Sequence, residues 1–437
     1  MPKFQASLTA CLFALGLGLV LTVHGPTIAI AQAPSTAGEL PAGFARVSGK
    51  YVDVVTDLPL NDELRELPAV FDAAIPQWCE AFDLPLASVA AWHVEAFVML
   101  DRQRFISAGF LPENISHFTH GFQYGDRLWV TEQRSAYYRR HLLLHEGTHW
   151  IMARKYGRQA PPWLMEGMAE WLGTHRWDGA QLQMGIIPAN REEVPYWGRT
   201  KIIQEQLSDG VAPSLESILR YSTTAHQQQE AYAWSWAAVV FLKHHPQTAE
   251  TFNRLLGQPL QGRDDANRWL FRQLSSQWPM LRQEWNATLS DLDYGFAPER
   301  GLLAVSPRPQ LLAGPQTFTI AANRGWQASG YSVAAGTEVT IRAEGEFVVG
   351  QHLRPWRCFS DGITLEYYRG LPLGRLLMTS VAPLVKEPNF SKPVSIFSVG
   401  SGGKFKVAEA GELQFRINES TGALADNSGT LTITLSP

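Results

Sequence analysis

The sequence predicts an α+β domain carrying a helical subdomain, followed by an all-β sandwich. Three observations predict it. Strand-like and helix-like periodicities alternate between residues 44 and 174, and Gln-, Ala- and Trp-rich segments without long β-branched runs fill 199–290. Beyond a proline-dense stretch, short alternating runs lie between Gly and Asn turns. A chain of 437 residues is long enough for two or three domains, each burying its own core.

In order along the chain, Tyr51 to Val55 reads as a strand. Glu63 to Phe82 reads as an amphipathic helix, with Leu67, Phe71, Ile75 and Trp78 at helical spacing and Pro68 and Pro76 as interruptions. Strands follow at Trp92 to Leu100 and Arg127 to Thr131. Helical periodicity then runs from Ala136 to Tyr156, stopping near Gly157, and again from Trp163 to Thr174. Ala225 to His245 and Asp264 to Leu289 are the main helical segments of the subdomain, which closes a first domain spanning 40–295. Pro298, Pro307 and Pro309 make 296–315 an expected extended linker. Within 316–437, Glu338 to Arg342, Lys404 to Val407, Leu413 to Ile417 and Thr430 to Leu435 are the expected sandwich strands. No internal repeat is found.

Composition narrows the function classes. Lys and Arg total 37 against 41 Asp and Glu, and no basic cluster could neutralise a run of phosphates, so nucleic acid is not an expected partner. Residues 1–33 carry Lys3, an apolar stretch from Cys11 to Val23 and small residues at Ala29, Ala31 and Ala33, the pattern of a secretory signal peptide. Leu8-Thr9-Ala10-Cys11 imitates a lipid-attachment box, but its apolar run follows the cysteine instead of preceding it. No later segment is apolar enough to span a bilayer, so the expected location is periplasmic or extracellular. Cys79 and Cys358 remain after the leader, enough for one bridge or two buried thiols but not for a thiolate metal cluster.

The chemistry concentrates at His145-Glu146-Gly147-Thr148-His149. Residues four apart on a helix are separated by only about 40°, so both imidazoles face one side and can share one ion, with Glu146 beside it. Two neutral imidazoles suit zinc, which in a catalytic site takes a third protein ligand and leaves one position open. A third His three turns on is excluded by Met152 and Lys155, and no Asp occurs between His149 and Asp178. Trp163-Leu164-Met165-Glu166-Gly167-Met168-Ala169-Glu170-Trp171 supplies carboxylates on the next helix. These residues resemble the glutamate-zincin metallopeptidases, most closely a bacterial "peptidase MA-like" branch that pairs an HExxH helix with a W-L-x-E-G-x-A-E segment. The resemblance covers about residues 45–290. It implies a zincin-like catalytic fold, a peptide or protein substrate, Glu166 as third zinc ligand and Glu170 as the carboxylate that orients a ligand imidazole, with Glu170 as fallback ligand. In that reading Glu146 is the general base toward a zinc-activated water, and Tyr232 is the candidate oxyanion donor, with packing as its other reading. His141, one turn before His145, reads as structural. An edge strand within Phe122 to Thr131 is expected to pair with the substrate backbone.

Gly411 to Ser420 and Asp426-Asn427-Ser428-Gly429-Thr430 resemble the calcium-site end of small galactophilic bacterial lectins. The resemblance covers about 316–437 and implies calcium held by Glu419, the carbonyl of Ala423, Asp426 and Asn427, with carbohydrate as a partner. Glu419 and Asp426 stand where that family has Asp and Asn. The leading expectation is an exported zinc metallopeptidase with an accessory sandwich. The alternative is a carbohydrate- or surface-binding protein whose peptidase-like half is inert.

Overall fold

The computed structural model describes residues 38–437 apart from 116, 158, 304, 307, 352–353, 385 and 387–389. The expected signal peptide lies outside the described residues. Among the described residues no helix is long and apolar enough to cross a membrane.

The first half is built on a five-stranded sheet: β1 (Ala45–Ser48), β2 (Val52–Thr56), β3 (Val94–Met99), β4 (Gly121–Tyr124) and β5 (Arg127–Thr131), in the order β1-β2-β3-β5-β4. β2, β3 and β5 are parallel, and β4 runs antiparallel to β5 along the edge. Apolar residues line both faces of the central strands because both faces are covered. Val52, Val54, Ala96, Val98, Leu128 and Val130 face the helices, whereas Val55, Phe97, Met99 and Trp129 pack on Phe105, Phe110 and Leu111. The segment expected as one helix over 63–82 is two pieces, Asp62–Arg65 and Leu67–Ala81, broken at Glu66. Pro68 sits in the first turn of the second piece, where its missing N–H costs nothing, and Pro76 is accommodated inside it.

Helix Ala136–Tyr156 starts at Ser135, whose hydroxyl accepts from Tyr138 N, and ends at Gly157 with φ 62°. Helix Pro162–Gly173 follows, and then the helical region, in which Arg199–Ser208 and Gln229–His244 flank the site described below. The helix expected over 264–289 is interrupted between Gln273 and Trp278.

The C-terminal region is all-β. One sheet has the order Phe397–Ser398, Leu376–Val381, Gly411–Ile417, Gln327–Val333, Gln310–Leu311. The other runs Pro355–Cys358, Phe347–Gln351, Ser428–Ser436, Glu338–Glu344, Gly402–Lys406, with Gln316–Ala321 also paired to Ser428–Ser436. Val339, Ile341, Met378, Leu413, Phe415 and Ile433 are among the side chains that close their common core.

Of the stretch 296–315, expected as an extended linker, the first part is packed instead, from Phe296 to Leu303, whereas Arg308 to Leu311 are exposed. Pro298–Gly301 is a helical turn, Ala297 N donates to Thr421 Oγ1 at 3.0 Å, and the Leu303 carbonyl accepts from His245 Nε2 at 3.0 Å. Leu303 joins Ala287 from the helical region and Trp326, Leu377 and Val381 from the β region in one apolar cluster. Buried Arg416 pairs with Asp291 across the same seam. Pro298, buried in the helical turn, lies in the seam, whereas Pro309 is exposed.

Candidate metal centre

Helix Ala136–Tyr156 is anchored on the face away from its histidines. Trp78 Nε1 donates to Thr148 Oγ1 at 2.9 Å, and that hydroxyl donates to the Leu144 carbonyl at 2.8 Å. Helix Pro162–Gly173 is pressed onto Gln229–His244 at Gly167, where a Cβ would stand 2.5 Å from the Ser235 carbonyl oxygen and 2.7 Å from Val239. A bare Cα at that position is what brings the next residue back, Glu166, up to the histidines.

The three expected ligands do converge. His145 Nε2 and His149 Nε2 are 3.1 Å apart, and Glu166 Oε2 lies 3.4 Å and 3.3 Å from them. Donors held at about 2.0–2.1 Å around a tetrahedral ion stand about 3.3 Å from one another, so this triangle fits a zinc-sized cation. Buried Glu166 Oε2 meets no donor at hydrogen-bonding geometry. Two imidazole nitrogens this close need a proton or a cation between them. Without the cation the proton stays: burial alone would lower the His149 pKa, but the Glu166 carboxylate outweighs it and raises it to about 9. Burial would likewise raise Glu166, and His149 and His145 together hold it well below the usual carboxylate range.

Glu170 sits one turn beyond Glu166 and is fully committed. It accepts from Trp197 Nε1 at 3.0 Å and from Arg199 Nη2 at 2.7 Å. Its two oxygens also face His145 Nδ1 and His141 Nε2, each at 3.6 Å. Burial opposes its charge, yet Arg199 prevails and its pKa falls to about 2. His141, His145 and Glu170 form a second convergent group, but a wholly buried one, whereas His145, His149 and Glu166 open on a cleft. The two glutamates thus differ in surroundings, Glu166 beside the cleft and Glu170 enclosed. His141 is buried and stacked at 5.3 Å on Tyr138, and burial lowers its pKa to about 4.

The cleft has a volume of about 880 Å³ and is lined by β4, by His145, Glu146, His149 and Glu166, and by Thr223, His226, Tyr232 and Arg263. The edge expected over 122–131 reduces to β4, because β5 is enclosed between β3 and β4. Glu146 fits against β4 only because residue 121 is glycine. A Cβ there would overlap Glu146 Oε1 and stand 2.9 Å from its Cγ and Cδ. Burial raises the pKa of Glu146.

Tyr232 stands across from the histidines, its ring 6.3 Å from His145 and 5.1 Å from His226. Burial, reinforced by Glu166, Glu170 and Glu146, raises its pKa, so the phenol remains a proton-bearing donor. His226 was not legible in the sequence as a cleft residue. It reaches the site from the turn before the Tyr232 helix, with Nε2 3.1 Å from Ser235 Oγ and Nδ1 buried without a partner. Trp197 and Arg199 were equally silent, since a Trp and an Arg some thirty residues from the motif carry no spacing signal.

The expected calcium quartet is arranged differently. Glu419 and Asn427 are buried, whereas Ala423 and Asp426 are exposed. Asn427 Nδ2 donates to Glu419 Oε2 at 2.6 Å and to the Ala322 carbonyl at 3.2 Å, and its Oδ1 accepts from Gly350 N at 3.0 Å. The amide oxygen that would face a cation is thus directed at a backbone N–H. Cys79 and Cys358 are buried free thiols in separate cores, which removes the disulfide option.

A family model matches part of this region. It is described as a protein of unknown function, DUF1570, and covers residues 142–259, hence His145, His149, Glu166, Arg199 and Tyr232 but not the first turns of helix Ala136–Tyr156, stopping short of the β region. Among curated proteins there is no match. Among solved structures, the chain is similar to one described as the EclA N-terminal domain, a PllA-like lectin, at 18% identity, covering 29% of this chain and 96% of that one with a TM-score of 0.21. It is also similar to PliG of Aeromonas hydrophila, described as a periplasmic inhibitor of g-type lysozyme, at 8% identity, covering 29% and 85% of the two chains with a TM-score of 0.16.

Proposed function

We propose that the protein is an exported zinc metallopeptidase that hydrolyses peptide bonds in the cleft along β4. One observation carries this reading: His145 Nε2, His149 Nε2 and Glu166 Oε2 form a zinc-sized triangle that opens on a cleft beside the edge strand of the sheet and the Glu146 carboxylate. Zinc bound there would supply a water of lowered pKa and a Lewis acid for the scissile carbonyl. Glu146, held against Gly121, takes the proton from the attacking water and returns it to the leaving amine. β4 offers an extended substrate a strand to pair with, which aligns the scissile bond over the histidines. Tyr232, kept protonated, donates a hydrogen bond to the oxygen that gains charge. Export rests on the character of residues 1–33.

The full chain should contain one zinc by elemental analysis and cut a peptide library read by mass spectrometry. Glu146→Gln should retain the zinc and lose about 10²–10⁴-fold in cleavage rate. Cleavage that persists in that variant removes the role of Glu146. A wild-type protein that holds zinc and cuts nothing favours the rival reading, an inert metal-binding half attached to a binding module.

A further inference from the structure

We infer that Arg199 is a positioning residue for the metal centre: by holding Glu170 it sets the ring of His145, and by lying under Tyr232 it sets the opposite wall of the cleft. The inference rests on the zinc reading and adds to it a residue from outside both motif helices. Arg199 opens helix Arg199–Ser208, and its side chain is only 13% exposed against 1% for Glu170. Desolvating a guanidinium costs several kcal/mol unless a carboxylate answers it, so a cation in this place is tolerated for the contacts it makes.

Those contacts are directional. Arg199 Nη2 reaches Glu170 Oε1 at 2.7 Å, the oxygen that faces His145 Nδ1 at 3.6 Å. Trp197 Nε1 fixes the other oxygen at 3.0 Å. With both oxygens tethered, the carboxylate cannot swing toward His149, and Glu166 is left as the carboxylate beside the two Nε2 atoms. At 3.6 Å the carboxylate does not hydrogen-bond Nδ1, which has no partner at bonding geometry, but a fixed negative charge there favours the tautomer that carries its proton on Nδ1, which leaves Nε2 with the lone pair that a metal needs. The Arg199 guanidinium carbon also lies 5.3 Å from the centre of the Tyr232 ring, so one side chain touches both the carboxylate behind His145 and the ring on the opposite wall of the cleft.

The test uses the full-length protein, with zinc affinity measured by competition with a chromophoric chelator and geometry read from the visible bands of the cobalt-loaded form. Arg199→Gln should bind zinc about 10- to 100-fold more weakly and shift the cobalt bands, with Arg199→Lys restoring part of the affinity. Trp197→Phe, which keeps an aromatic ring and removes one donor, should move both readouts in the same direction by less. Unchanged affinity and cobalt bands in both folded variants would overturn the inference, even if the melting temperature falls. Absence of zinc from the wild type would instead overturn the metal reading on which it rests.

Discussion

Two corners of this molecule were marked as metal sites by residue type, and they differ in what their donors already do. At His145, His149 and Glu166, three ligand atoms crowd within 3.4 Å of one another, and Glu166 Oε2 has no donor at bonding geometry. At Glu419 and Asn427, the amide bridges the carboxylate, a carbonyl and a backbone N–H, so the group satisfies itself. A cation site is marked by acceptors that converge and remain unanswered, because only then does an ion replace nothing already present. The outer carboxylate Glu170 makes the same point from within the first corner, since its oxygens are answered by Trp197 and Arg199.

The comparison breaks most directly at His149. His149→Ala should abolish stoichiometric zinc binding, whereas calcium at millimolar concentration should leave the melting temperature of the wild-type chain unchanged. A ligand confined to the folded state raises that temperature by mass action, so a calcium-dependent rise would restore a cation role to Glu419 and Asn427.

A second effect follows from the proton that stands in for the metal. With the His149 pKa raised to about 9, zinc must displace a proton at neutral pH. Affinity should therefore rise by up to about tenfold per pH unit between pH 7 and 9 and level off above that, with proton release seen by calorimetry in buffers of different ionisation enthalpy. A flat profile would mean that the free imidazoles are neutral and that Glu166 does not hold the proton there.

Smaller effects sharpen the contrast between the two corners. Gly121→Ala should leave zinc in place and slow cleavage by about 10²-fold, the expected cost of displacing a general base by about 1 Å. Equal turnover would show that Glu146 has room the structure denies it. Asn427→Ala should change stability alone, by about 1–3 kcal/mol in denaturant unfolding, because it strands buried partners of the amide. A loss of peptide cleavage in that variant would tie the β region to the cleft.

Much of the first half was legible because its signals are local. Four-residue spacing put His145 and His149 on one helical face, and that helix runs from Ala136 to Tyr156 and stops at Gly157, as expected. The pairing of Glu166 with the histidines came from a motif, and its geometric basis at Gly167, a contact with Ser235, involves a residue remote in sequence. Pro68 and Pro76 interrupted the periodicity over 63–82, but only the folded chain decides which one breaks a helix. Pro76 is absorbed, while Pro68 begins a new helix after Glu66.

The sequence by itself determined that His145 and His149 share one side of a helix, through residue types and spacings that any helix would convert into one face. Tertiary structure alone decided which acceptors stay unanswered. Trp197 and Arg199 commit Glu170, Gly350 and Ala322 commit Asn427, and Gly121 makes the space for Glu146. It also decided that the start of the proline-rich stretch packs into a seam, with Leu303 and Trp326 in one core and Arg416 paired to Asp291. The physical reason is the same in each case. Helical spacing is a property of a few neighbouring residues, whereas whether a polar group is satisfied, or an apolar one covered, depends on partners that the chain brings from far away.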